Sequence, residues 1–188
     1  MTVRTATTED LPEVGALLAA SFHKDPVSIW LFPDEDRRAA AQPPFFKTFA
    51  MLALESGGSI SLREDGLAAT VWFPSSDDEE DVLSYFDFLT DEELKRFGHL
   101  AELMAENHPD QGEHQHLQFI AVHPDRQRLG VGGALLAHDL ANLDGVPAYL
   151  EASSEFSPPL YQRFGFEHIG TPFGPDPQAR MYPMWRKG

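Results

Sequence analysis

The stretch "LQFIAVHPDRQRLGVGGALL", Leu117 to Leu136, constrains the fold of this chain more than any other. An apolar, β-like run ends at Val122. A polar turn carrying Arg126 and Arg128 follows, and Gly130-Val131-Gly132-Gly133 opens an apolar helical run. A strand that enters a helix through glycines is a β-loop-α unit, which requires a sheet with a helix packed on it. The start of such a helix has unpaired N–H groups and a partial positive charge, so it attracts an anion. Glycines there remove side-chain bulk and let consecutive amides turn toward one ligand.

The rest of the chain supports a mixed α/β fold in one domain spanning residues 1–188. At 188 residues, with 42% hydrophobic and 23% charged, it has globular composition and enough length for a full core. "TVRTAT" reads as a strand, and "TEDLPEVGALLAASF" as a helix capped by Thr8 or Glu9. "DPVSIWLFPD" is a loop or short helix. "DEDRRAAAQPPFFKTFAMLALES" is helical on both sides of Pro43-Pro44. "SISLRE" and "LAATVWFP" form a hairpin through Asp65-Gly66. Residues 77–107 read as acidic and helical, in two pieces broken near Gly98. "HQHLQFIAV" is a strand and "GVGGALLAHDLANL" a helix. "PAYLEAS" is a strand, "SPPLYQRF" a short helix, and "FEHIG" and "ARMYPMW" are closing strands.

Composition excludes several chemistries. There is no cysteine, so disulfides, thiolate metal sites and a cysteine nucleophile are ruled out, which fits a reducing cytoplasm. No apolar run approaches the ~18 residues of a membrane span, and "MTVRTATTEDLPEV" lacks the apolar core of a signal peptide. A formal charge of −16 argues against nucleic acid.

Three phosphate-binding loops compete for the glycine segment. A Walker loop needs Gly-Lys-Ser/Thr, and no lysine is near. A dinucleotide fingerprint needs a third glycine where Leu135 stands. Gln127-x-x-Gly130-x-Gly132 before a helix is the third pattern. This pattern in "VHPDRQRLGVGGALL" resembles motif A of the GNAT N-acetyltransferases. "YLEASSEFSPPLYQRFGF", about thirty residues on, resembles their next motif, and "DP…WLFPD", "TVWFP" and "PMWR" resemble the puromycin-N-acetyltransferase-like branch. The resemblance covers nearly the whole chain. It implies a single-domain GNAT fold, with a central, mostly antiparallel sheet splayed between its fourth and fifth strands and flanked by helices.

The same resemblance implies acetyl-coenzyme A as the acyl donor, with no metal. Gln127, Arg128, Leu129, Gly130, Val131, Gly132 and Gly133 would cradle its pyrophosphate. Phe119, Ile120, Ala121 and Val122 on the splayed strand would face the pantetheine, and Ser157 stands where many members have a pantetheine-contacting asparagine. Tyr161 matches the family tyrosine that protonates the departing thiolate; a half-buried aromatic is the plain alternative. His116 stands where the serotonin N-acetyltransferase branch has a proton-relaying histidine, but Gln118 replaces that branch's second one.

Strand alternation puts His114, His116 and Gln118 on one face. A histidine is poised to take a proton near neutral pH. His116 and Glu151 are therefore both base candidates, against an ordinary surface histidine pair and a salt bridge. Trp30, Phe32 and Trp72 would wall an acceptor pocket, or simply pack in the core. The acidic stretch is a solvated face that can also attract a cationic amine.

The expected activity is acetyl transfer to a primary amine of a small molecule, by direct attack in a ternary complex. The rivals are acetylation of a protein or peptide and a non-catalytic acyl-coenzyme A module. Neither nucleic acid nor membrane is an expected partner, and a homodimer is compatible with the sequence.

Overall fold

Alternating burial along the first hairpin starts the sheet. In β2 (Ser59–Arg63), Ile60 and Leu62 are buried between more exposed neighbours, whereas β3 (Ala68–Pro74) is buried along most of its length. A half-buried strand followed by one buried on both faces marks the passage from the sheet's margin to its centre. The computed structural model describes residues 2–75 and 82–188. Within them the strand order is β1-β2-β3-β4-β5-β8-β6, with β7 paired to β8. The outer members are β1 (Val3–Thr5), β6 (Glu167–His168), β7 (Phe173–Asp176) and β8 (Ala179–Arg186). All pairings are antiparallel except that of β4 (Gln115–Val122) with β5 (Ala148–Ala152).

Helices cover both faces. On one side α1 (Leu11–Phe22) and α3 (Glu35–Glu55) pack with Ile60, Leu62, Val71 and Ala121 into the larger core. On the other side α5 (Val131–Ala141) and α6 (Pro158–Gln162) close a second core around Trp72, Leu117, Leu150 and Met184. A buried polar pin joins α5 to the centre of the sheet. Asp139 Oδ2 accepts from the Thr70 hydroxyl and from Trp72 Nε1 at 2.9 Å. No helix among the described residues is long and apolar enough to cross a membrane.

Several boundaries differ from the sequence expectation. Thr7, rather than Thr8 or Glu9, opens the first helical segment, its N–H donating to Asp10 Oδ2 at 2.8 Å. "DPVSIWLFPD" contains a true helix, α2 (Pro26–Leu31), because Asp25 caps it and Pro26 occupies its first turn. Helix α3 runs unbroken through Pro43-Pro44.

The expected break near Gly98 is absent, since α4 (Asp91–Asn107) is continuous across it. One helical glycine costs only about 1 kcal/mol. Burial of Phe97 and Leu100 on either side outweighs that. The helix begins instead at Thr90, in a capping box with Glu93. Of the stretch read as acidic and helical, residues 77–81 lie outside the described residues.

Candidate active site

The site begins with a fault in the sheet. β4 and β5 pair only at Gln115–Ala148 and His116–Tyr149, then part. The register of β4 against β3 slips at the same place. Trp72 opposes Leu117 while Val71 opposes Phe119, which leaves Gln118 as an extra residue. Such a bulge bends its strand and re-aims the side chains beyond it. Leu117 and Ile120, three residues apart, both pack with the second core, and Phe119 and Ala121 pack with the first. Simple alternation across 114–118, as read from the sequence, therefore stops at Gln118. The parted strands open a cavity of about 550 Å³ that extends from Gln127 and Arg128, past Ile120 and Tyr161, to Glu151 and a wall of phenylalanines.

At one end stands the glycine loop. Gly130 is the N-cap of α5 with φ +79°, and Arg128 also has positive φ, at 62°. The helix's own ladder starts with Ala134 N–H to Gly130 C=O at 3.0 Å, so the first-turn amides before it remain available to an anion. The two motif glycines serve different purposes. A Cβ on Gly130 would meet nothing within 4 Å, so its constraint is conformational. A Cβ on Gly132 would make ordinary van der Waals contact with Val122 Cγ2 at 3.4 Å and Ile120 Cδ1 at 3.8 Å, so only atoms beyond Cβ would crowd the approach of α5 to β4. Gln127 turns back and donates from Nε2 to Val122 C=O at 3.0 Å, tying the loop to the strand. Leu129 is exposed. Arg128 lines the cavity, while Leu129, Gly130 and Val131 line an adjoining cleft with Arg63, Glu64 and Asp65; the helix-start amides and the arginine at this edge are groups that suit a pyrophosphate.

Midway lie the proton-handling groups. Tyr161 is buried on α6 and lines the cavity. Its hydroxyl is pushed well above the usual phenol value, first by burial and then by the nearby Asp25 charge, so it keeps its proton. Asp25 lines the same cavity. Its Oδ1 accepts from the Val27 and Ser28 amides at 2.9 and 3.2 Å, and its Oδ2 accepts from the Ser153 hydroxyl. Burial raises its carboxyl despite these bonds.

Across the cavity, His116 Nε2 donates to Glu151 Oε2 at 2.7 Å, with side chains only 12% and 4% exposed. Burial alone would lift the Glu151 carboxyl, but the charge and hydrogen bond of His116 outweigh it and hold the group below its usual range. Glu151 lines the cavity and His116 stands behind it. Tyr149 adjoins Glu151, and its hydroxyl adds to the hold on that carboxyl. Burial and the Glu151 charge keep the Tyr149 proton firmly in place.

Behind the pair, His108 Nε2 and His114 Nε2 are 3.0 Å apart, and His114 Nδ1 donates to Gly112 C=O at 2.7 Å. Burial, with His116 and His114 nearby, pushes the His108 imidazole down to about 4. Among the described residues, no group of three or more His, Asp or Glu side chains is disposed to hold a metal ion.

The structure thus brings together Tyr161, Glu151, His116, Phe119, Ile120, Gln127, Arg128 and Ser157 around one opening. It separates others from it. Ala121 is turned into the first core, and Val122 lies against α5. Of the three aromatics expected to wall the acceptor, only Phe32 lines the cavity. Trp72 is on the α5 side of the sheet, where the Asp139 bond holds its indole. Trp30 packs near His99, with ring centroids 6.4 Å apart. Sequence reasoning missed Asp25, although Asp before Pro at a helix start marks a cap. It also missed Phe45, Phe49 and Phe97, whose shared wall depends on how α3 and α4 meet.

The family model for an acetyltransferase (GNAT) domain matches residues 88–168, the segment that carries the cradle, β4, β5 and α6. A Corynebacterium glutamicum structure described as histone acetyltransferase HPA2 and related acetyltransferase has a TM-score of 0.73 at 26% identity, covering 99% of this chain and 95% of that one. Arylalkylamine N-acetyltransferase 2 of Aedes aegypti gives 0.68 at 14% identity, covering 99% and 98%. The polyamine N-acetyltransferase of Drosophila melanogaster, which forms N-acetylagmatine, gives 0.62 at 16%, covering 99% of both. The architecture is that of the GNAT fold.

Proposed function

We propose that this chain, an acyltransferase with the GNAT fold, transfers an acetyl group from acetyl-coenzyme A to the primary amine of a small molecule. The observation that carries this reading is the cavity that joins Gln127 and Arg128, at the start of the glycine loop, to Tyr161 and Glu151. The amides of residues 128–133 hold the pyrophosphate, with Arg128 beside it. Ile120, Ser157 and the unpaired edge of β4 beyond His116 face the pantetheine arm. Solved structures of similar fold act on arylalkylamines and polyamines, which supports an amine acceptor. The sequence features shared with the puromycin-N-acetyltransferase-like branch point the same way.

Transfer runs by direct attack. Holding amine and thioester in one cavity supplies most of the advantage, because it replaces a bimolecular encounter. The Glu151 carboxylate receives the ammonium, and the proton shed by the nitrogen goes to the Glu151–His116 pair. The neutral nitrogen attacks the thioester carbonyl, the carbon–sulfur bond breaks, the Tyr161 hydroxyl gives its proton to the leaving sulfur, and the second proton released by the nitrogen as it becomes the amide restores the Tyr161 hydroxyl. The raised Tyr161 value suits a group that must arrive protonated. The setting is a reducing cytoplasm.

The test is release of free coenzyme A over a panel of amines and amino-terminal peptides. Turnover with small amines sustains the proposal. Turnover confined to peptides would reassign the acceptor, and tight acetyl-coenzyme A binding without turnover on any acceptor would make the chain a binding module.

A further inference from the structure

The cavity is electrostatically divided, and the division bears on which amines it accepts. The charged side chains lining it among the described residues are Lys24, Asp25, Arg128 and Glu151. All four come from the loop before α2, the glycine loop or β5. Helices α3 and α4, by contrast, line it with apolar side chains, chiefly Phe45, Phe49, Phe97, Leu100 and Met104. The acidic residues of α4 do not reach that wall. Glu102 and Glu106 are exposed on the helix's other side, and Glu93 is occupied by Arg37 at 2.7 Å.

We infer that the acceptor is a monoamine with a single apolar, aryl-bearing tail, and that the site rejects amines with a second cationic group. The inference rests on the amine-acetyltransferase reading above and narrows it. The argument is one of desolvation. An ammonium beside Asp25 and Glu151 meets two carboxylates, but a second cation whose tail carries it to the α3–α4 side chains would lie against phenylalanines. A charge buried there has no counter-ion and no hydrogen-bond acceptor, which is strongly unfavourable.

The rings also favour an aromatic tail over an alkyl one. Phe45–Phe97, Phe49–Phe119 and Phe49–Phe97 pack edge to face with centroids 5.2, 5.3 and 5.8 Å apart. A further ring continues that arrangement with its own edge and face contacts.

Calorimetry on the full chain saturated with coenzyme A reads this selectivity directly, independently of turnover. 2-Phenylethylamine should bind at least about tenfold more tightly than agmatine or 1,4-diaminobutane, with hexylamine between them, in line with what pocket complementarity delivers. Equal or tighter binding of agmatine or the diamine would overturn the inference, whether or not any amine is acetylated. Absence of acetylation would count against the proposed activity alone. A second variant makes the test constructive. Met104 is only partly buried, so Met104→Glu places a carboxylate on the apolar wall at little risk to folding. It should raise the agmatine-to-phenylethylamine affinity ratio at least about fivefold. An unchanged ratio in a folded variant would show that this wall does not contact the tail.

Discussion

The proposed mechanism assigns proton transfer to Tyr161 and to the His116–Glu151 pair, and each assignment is tested by substitution. Tyr161→Phe deletes only the hydroxyl of a residue whose ring packs on Phe166. Turnover should fall by roughly 10²–10⁴-fold, the usual worth of a general acid, while acetyl-coenzyme A affinity stays within about twofold. An unchanged chemical rate in single-turnover kinetics would remove Tyr161 from the mechanism. On the other side, the 2.7 Å contact makes His116 and Glu151 one hydrogen-bonded unit. His116→Ala and Glu151→Gln should each alter the acidic limb of the kcat/KM profile. The double variant should be little worse than the poorer single one, since removing either partner already disables the pair. Additive losses would mean that the two act separately. In Glu151→Gln the carboxylate that His116 holds below its usual range is gone, so any limb due to its protonation at low pH should vanish.

At the scale of elements, the two helix starts that frame the site depend on different physics. Gly130→Ala forces a Cβ into the left-handed region and should cost about 1–2 kcal/mol of stability, read from the urea midpoint. Gly132→Val is unstrained at φ but adds methyl groups beyond the Cβ contacts with Val122 and with Ile120, which lines the cavity. It should weaken acetyl-coenzyme A binding at least about tenfold in calorimetry, with a smaller effect on stability. The start of α4 is held differently. Arg37 and the Thr90 cap hold the Glu93 carboxyl below its usual range, the Arg37 hydrogen bond most strongly. A carboxyl depressed in the folded state stabilises above its unfolded value of about 4.3. That stability is lost as pH falls through the lower folded value. Glu93→Gln should therefore cost about 1–3 kcal/mol at pH 7. Chemical denaturation should show the gap between variant and wild type closing below pH 4. A gap independent of pH would assign the effect to packing instead.

For the molecule as a whole, the parted strands leave its two halves joined by little direct pairing at the site. One half carries β1 to β4 under α1 and α3; the other carries β5 to β8 with α6. A ligand that contacts β4, α5 and α6 together bridges them, and it stabilises only the folded state. Acetyl-coenzyme A at about a hundred times its dissociation constant should add about 2.7 kcal/mol, visible as a concentration-dependent rise in Tm. Tyr161→Phe should keep that rise, and Gly132→Val should lose most of it. If wild type showed no rise, the cavity would not be the donor site.

What the sequence by itself determined was local. The β-loop-α unit, the Gly130 turn, the Asp65-Gly66 hairpin and the Tyr161 helix follow from residues within a few positions of one another, whose backbone preferences and hydrogen bonds are short-range. The mixed α/β class followed from strand and helix periods, and the splayed, mostly antiparallel sheet followed from the resemblance of two motifs to the GNAT family. Tertiary structure decided the rest. The bulge at Gln118 exists only relative to the partner strand, so alternation within "HQHLQF" could not reveal where the faces switch. Trp72 and Phe32 look alike as isolated aromatics; Trp72 lies within β3 and packs in the second core, whereas Phe32 ends α2 and packs in the first. His116 and Glu151 are thirty-five residues apart, and their contact requires β4 and β5 to pair in parallel for two residues and then separate. Asp25 was visible as a helix cap, but its burial beside Tyr161 needed β5 to bring Ser153 across. Side-chain chemistry is written residue by residue, whereas proximity, burial and the resulting proton affinities belong to the assembled sheet.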